Sequence, residues 1–237
     1  FTSGMDQIEF MIETESSNPQ NGRPNILMEY FVTAADPTDY TIQLVTTAAA
    51  GTVHTWAEDN ELLTGSFGTH INLAGNSSYT IAGAGANSDA TISVGAYTTK
   101  NSWTQLGGGT ASDPFTVGDI SSYSSMGPTL DGRVKPDISA PGTMIVSALS
   151  RFDMNVPSGL APMVTNDTYS DGTNTWYMGA FAGTSMSAPF TAGVVALMLE
   201  ADPLMSTATC RTKLHETARQ DSYTGTISAT GDNQWGW

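Results

Sequence analysis

The run AFAGTSMSAPFTAGVVALML, residues 180–199, sets Ser185 where glycine and small residues give way to an apolar helical pattern. A serine at the start of a helix has two chemical uses. As a nucleophile, its hydroxyl would sit beside the unpaired N–H groups and positive dipole end of the helix, which stabilise an adjacent oxyanion. Gly183 would admit a substrate backbone, and Ala182 and Ala188 would keep bulk away from the hydroxyl. As an N-cap, the same hydroxyl would accept a backbone N–H of the first turn and do no chemistry. The local pattern leaves both uses open.

An activated serine needs a base within hydrogen-bond reach and an acid that orients the base. The candidates are few. His54 falls in a strand-like run beside Trp56, and His215 falls on a helical segment with Lys213 and Glu216, so both read as surface or packing histidines. Arg133 and Lys135 stand among Asp131 and Asp137, which reads as local ion pairing rather than catalysis. NDTYSDGTNTW, residues 166–176, gathers Asp167, Asp171 and Asn174 as a candidate calcium loop, although Tyr169 interrupts the alternation of ligands. No other cofactor is expected. Cys210 is the only cysteine; it cannot form an internal disulfide and reads as a buried packing thiol.

The elements that must position Ser185 change in kind along the chain. From residue 7 to residue 78, the runs QIEFMIET, NILMEYFV, YTIQLVTT and TVHTW are rich in β-branched and aromatic residues. Turn-forming stretches such as SSNPQNGRPN and AADPTD separate them, which predicts an antiparallel β-sandwich without helices. Ile8, Phe10 and Ile12 alternate with Gln7, Glu9 and Glu13, as in a strand wet on one face, with Met11 the misfit. After Ser78 the pattern is mixed α/β. Strands are predicted in ATISVGA, FTVGDISSYSS, TMIVSAL and TWYMGAF, the last running straight into the Ser185 segment. Two helices follow. The first begins near Ser185 with Pro189 in its opening turn, and its almost wholly apolar surface predicts burial; the second runs over residues 206–218. Among the predicted strands, SSYSSMGPTLDGRVKPDISAPG, residues 121–142, carries Gly127-Pro128, Asp131-Gly132 and Pro141-Gly142 as turn formers and reads as scaffolding.

Charge narrows the partners. The 237 residues carry 8 Lys and Arg against 23 Asp and Glu, a formal charge of −15, with no basic cluster of the kind a phosphate backbone requires. Nucleic acid is therefore not an expected partner. No stretch approaches the length of a membrane span, and the first residues lack the basic-then-apolar order of a signal peptide, so the expectation is either a mature or excised segment or targeting that lies outside it.

GTSMSAPFTAG resembles the signature around the nucleophile of the subtilisin-like serine peptidases, the subtilases. SSYSSMGPTLDGRVKPDISAPG is similar to the strand and long loop that precede that nucleophile, with Met126 where the family often has Arg. ATISVGA is similar to the strand ahead of the loop, and GDNQWGW to the lead into the final helix, so the resemblance covers residues 79–237. It implies an α/β fold, with residues 79–237 as part of a doubly wound parallel subtilisin-like sheet and residues 1–78 as a jelly-roll-like β-sandwich insertion. It also implies serine endopeptidase chemistry, with Ser185 as nucleophile and a polypeptide as substrate.

The family's other catalytic parts are not found in their usual form. The chain order is Asp, then His, then Ser. The Asp-Thr-Gly or Asp-Ser-Gly turn of the family is missing from the sequence. FGTHINLAG echoes the family's His-Gly-Thr-His run, but Phe67 stands where the base would be and His70 matches only the second histidine. Asn76, in LAGN, is a candidate oxyanion donor whose alternative is a turn of the β-sandwich. The expectation is that the Asp and His come from the remainder of the peptidase domain, and that this chain alone is inactive. A catalytically inactive subtilase-like scaffold for binding or signalling is the alternative, and an independent binding module in residues 1–78 is a third reading. The resemblance places the protein outside the cell or in the cell envelope, in a bacterial setting.

Overall fold

Parallel strands set side by side need a crossover between them, and here the crossover is a long stretch rich in hydroxyl side chains. The computed structural model describes residues 8–15, 25–32, 77–81, 85–150 and 164–237. The chain divides into two units, Phe1–Thr55 and Trp56–Trp237.

In the first unit, β1 (Ile8–Glu15) and β2 (Asn25–Val32) pair antiparallel, with Ile8 opposite Val32 and Ile12 opposite Met28. Both strands match the sequence expectation in place and type. YTIQLVTT, TVHTW, His54, His70 and Asn76 lie outside the described residues.

In the second unit, β3 (Val94–Thr98) lies parallel to β6 (Ile138–Thr143), with Val94 opposite Ile138 and Ala96 opposite Ala140. Between them, β4 (Ser102–Thr104) and β5 (Thr110–Ser112) form a hairpin. β7 (Ile145–Ala148), β8 (Val164–Ser170) and β9 (Thr175–Phe181) form a three-stranded antiparallel sheet in the order β7-β9-β8. Trp103, Met144 and Ala180 form a buried apolar cluster, with Ala111 packed against it. Among the described residues the unit has two helices, α1 (Thr184–Ala201) and α2 (Thr207–Thr217). α2 is capped by Ser206, whose side chain accepts the Thr209 N–H, and it buries Cys210 as expected. The class is α/β, with both parallel and antiparallel pairing.

Three expectations are corrected. FTVGDISSYSS forms no strand beyond an isolated bridge of Ile120 to Tyr97: Gly118, Asp119 and Ser121 make backbone bonds to Thr98 and Ala96, and hydroxyl contacts take over beyond them. Ser124 Oγ accepts the Ala96 N–H at 3.0 Å, while Ser121 Oγ, Thr98 Oγ1 and Thr143 Oγ1 form a buried triangle with edges of 2.7–3.3 Å. Pro141-Gly142 is not a turn but the end of β6, where a register shift between Tyr97 and Thr98 lets one extra residue through. Pro189 lies in the second turn of α1, since the helix begins at Thr184, and its missing N–H removes the i+4 donor to the Ser185 carbonyl.

Gly142 is where helix and sheet touch. A Cβ there would collide with Ser187 Oγ, lie 2.6 Å from Ala96 Cβ and stand 3.1 Å from the Gly183 carbonyl oxygen. Gly142→Ala is therefore expected to cost about 1–3 kcal/mol through overpacking, read as a lower urea midpoint at unchanged slope. An unchanged midpoint would contradict this close approach.

Candidate active site

β9 ends at Phe181, and two residues later α1 begins, so the chain must reverse within Ala182 and Gly183. Gly183 does this at φ 149° and ψ 158°, a conformation open to glycine and strained for a residue with a Cβ. Its N–H donates to the Gly142 carbonyl at 2.8 Å, and the same carbonyl accepts the Tyr123 hydroxyl at 2.9 Å. Ser187 Oγ, fully buried, donates to the Ala140 carbonyl at 3.1 Å. The start of α1 is thus hung on β6 at two points.

Gly183, not Ser185, is the N-cap, and no side-chain cap bond is made. Ser185 is the second residue of the helix and is exposed. Its N–H is one of the first-turn donors that have no intrahelical acceptor. Among the described residues none makes a hydrogen bond to its hydroxyl. The capping alternative therefore does not describe this serine. It opens instead onto a cleft of about 470 Å³, whose walls include Gly85, Ala86, Ile92, Ser125 and Ala188. The small side chains leave room for a chain to lie against the hydroxyl.

α1 differs from the expected buried helix. Ser187 and Thr191 are buried against β6 and β3, but Phe190 is 51% and Leu197 68% exposed, with Val194 and Leu199 also open. A helix apolar on every side is ordinarily enclosed, and among the described residues only one side is covered.

The other sequence candidates fall elsewhere. Lys135 pairs with Asp137 at 2.6 Å and Arg133 with Asp131 at 2.9 Å, as the local-pairing reading expects, and Arg133 also reaches Asp89, 44 positions away, at 2.7 Å. Asp171 terminates the β8-β9 hairpin: its carboxylate accepts the N–H groups of Asn174 at 2.7 Å and Thr173 at 2.9 Å, which hold it below the usual carboxylate range. Asp167 accepts from Thr165 at 3.5 Å. Among the described residues no group of three or more His, Cys, Asp or Glu side chains is placed to hold a metal ion.

His215 lines a second cavity of about 260 Å³, with Asp137, Arg211 and Trp237. Its ring stacks on Trp237 at 4.2 Å, nearly parallel. Burial lowers its pKa from the ordinary value, and the nearby Arg211 and Lys135 add to this against the pull of Asp137. The unfolded chain, with an ordinary histidine near about 6.5, then takes up the proton more readily than the folded one. Stability is complete above that value and declines as pH falls through it. The melting temperature is expected to fall between about pH 7.5 and 5.5, and less so in His215→Gln; equal falls in both proteins would refute the assignment.

The sequence profile of the Subtilase family matches residues 21–236. The chain belongs to the subtilase family. It is 38% identical over 133 residues to serine protease AprX of Bacillus subtilis, covering 55% of this chain and 25% of that protein. It is 34% identical over 100 residues to the minor extracellular protease Vpr of Bacillus subtilis, 42% of this chain and 10% of Vpr. It is also 36% identical over 118 residues to subtilisin-like protease SBT3.2 of Arabidopsis thaliana, 48% of this chain and 14% of that protein. The aligned regions span a quarter or less of the length of these three relatives.

Proposed function

We propose that the protein is a serine endopeptidase and that this chain carries its nucleophile, Ser185. The observation that carries the proposal is an exposed serine hydroxyl at the second position of α1, unengaged by any described residue and facing a cleft. In the reaction, Ser185 Oγ attacks the scissile carbonyl while a histidine accepts the hydroxyl proton. An aspartate holds that histidine in the productive tautomer. The Ser185 N–H donates to the oxyanion, where negative charge develops and where the helix dipole also favours it. The histidine returns the proton to the leaving amine, and water then releases the acyl group. No cofactor is required, because nucleophile, base and donor are all protein groups.

The aspartate and histidine are assigned to the remainder of the peptidase domain, outside these 237 residues, and this chain alone is proposed to be inactive. That remainder is also the proposed cover for the open side of α1, where Phe190, Val194 and Leu197 would be enclosed. Residues 79–237 would then be part of a doubly wound parallel sheet, with residues 1–78 as a jelly-roll-like β-sandwich insertion. Among the described residues no helix is long and apolar enough to cross a membrane. An extracellular or envelope location is proposed, in keeping with the relative named as an extracellular protease. The inactive-scaffold reading is favoured by one observation, that no described histidine or carboxylate contacts Ser185.

Hydrolysis of an unfolded protein substrate by the full-length protein separates the two readings. The endopeptidase reading expects cleavage that a sulfonyl fluoride abolishes. No cleavage, or cleavage indifferent to the fluoride, would contradict it.

A further inference from the structure

Three of the chain's 8 basic residues converge on one short loop. Arg211, on α2, sends Nη2 to the carbonyls of Asp89 and Thr91, the latter at 2.8 Å. Lys135 Nζ reaches the Ser88 carbonyl at 3.3 Å, and Arg133 Nη1 reaches Asp89 Oδ1 at 2.7 Å. Behind them the buried Asp137 carboxylate binds Lys135 Nζ at 2.6 Å, Arg211 Nε at 3.1 Å and the Ser93 N–H at 2.7 Å. The loop is also closed on itself, since the Thr91 hydroxyl donates to the Gly85 carbonyl and, at 3.2 Å, to the Ser88 carbonyl.

The opposite face of this loop is a wall of the Ser185 cleft: Gly85, Ala86, Thr91, Ile92 and Ser93 line it. Thr91 serves both faces, with its carbonyl gripped by Arg211 and the residue itself in the cleft wall. Among the described residues, the segment from Gly85 to Thr91 would keep only its own turn bonds without the basic clasp. In a chain of charge −15, placing three cations behind one loop gives these carbonyls charge-assisted donors, which are stronger than neutral ones.

We infer that Arg211 is a positioning residue for the substrate cleft: it fixes the wall formed by residues 85–93 and so determines which substrate side chains fit beside Ser185. This rests on the endopeptidase reading above. Arg211 does not touch the reacting atoms. Its loss acts on fit rather than on the nucleophile, and a displaced wall weakens binding of ground state and transition state alike.

The test uses the full-length protein, a set of internally quenched peptides differing at the residue that donates the scissile carbonyl, and a small fluorophosphonate. In Arg211→Met the KM of the preferred peptide is expected to rise about tenfold with kcat within about twofold, and discrimination across the set to flatten. The fluorophosphonate, too small to need the wall, is expected to label Ser185 at the wild-type rate. Lys213→Met, which removes the same charge from the same helix at an exposed pair with Glu216, is expected to leave KM unchanged. An unchanged KM in Arg211→Met, or a joint loss of kcat and labelling, overturns the inference. If Arg211→Met does not fold, Arg211→Lys, which keeps the charge but cannot hold the carbonyls and Asp137 with separate nitrogens, is judged by the same criteria with an expected rise of about threefold. A wild-type protein that neither cleaves nor is labelled overturns the endopeptidase reading, and the inference falls with it. A labelled wild type with an unaltered Arg211→Met profile overturns the inference alone.

Discussion

Ser185→Ala is expected to lower the kcat of the full-length protein about a million-fold while leaving KM within about threefold. The magnitude follows from the loss of the covalent route: cleft and N–H donor remain, but no oxygen is left to form the acyl intermediate. Stability should barely change. Ser185 is exposed, caps nothing and makes no hydrogen bond to a described residue, so the variant is expected to unfold within about 0.5 kcal/mol of wild type. This pairing of lost activity with retained stability distinguishes a nucleophile from a helix cap, whose removal typically costs about 1 kcal/mol. Kinetics and chemical denaturation of one preparation read both quantities, and a variant keeping more than about a hundredth of wild-type kcat would contradict the role.

Asp137→Ala is expected to be the most damaging substitution away from the nucleophile. Asp137 and Lys135 are 3% and 2% exposed, and the carboxylate is the shared counter-ion of Lys135 and Arg211. Removing it strands the buried ammonium and leaves the Ser93 N–H without its acceptor. Breaking a buried pair from one side costs about 3–5 kcal/mol. Lys135→Met should cost less, because Asp137 keeps Arg211 and Ser93 as partners. The check is urea unfolding of the two variants beside wild type. Equal losses, or a loss below about 1 kcal/mol for Asp137→Ala, would show that the carboxylate is not the hub.

The two substitutions bear on different kinds of information in the sequence. The start of α1 was legible because its determinants are local: Gly183 for the reversal, small residues around Ser185, and apolar residues immediately after. α2 was legible from Ser206 and its downstream spacing, and β1, β2, β3 and β9 from runs of β-branched and aromatic residues. The pairing of Lys135 with Asp137 was legible because the two lie two residues apart. The clasp was not. Arg211 and Asp89 are 122 positions apart, and nothing in either neighbourhood points to the other. β6 was hidden for a different reason: its Pro141 and Gly142 are turn formers by composition, yet the parallel partner β3 absorbs them at a register shift. The strand expected in FTVGDISSYSS is cut short: Gly118, Asp119 and Ser121 make backbone bonds with Thr98 and Ala96, but the Ala96 N–H goes to the Ser124 hydroxyl rather than to a backbone carbonyl. The expectation of a buried α1 followed correctly from its apolar surface, but burial depends on neighbours, and the described elements cover only the side carrying Ser187 and Thr191.

The most direct measurement is peptide mapping by mass spectrometry after the full-length protein reacts with a fluorophosphonate. A single phosphonyl adduct is expected on the peptide containing GTSMSAPF, localised to Ser185 by fragmentation and lost when the protein is unfolded before labelling. An adduct on another residue, or none under conditions where the folded protein is intact, would contradict Ser185 as the nucleophile.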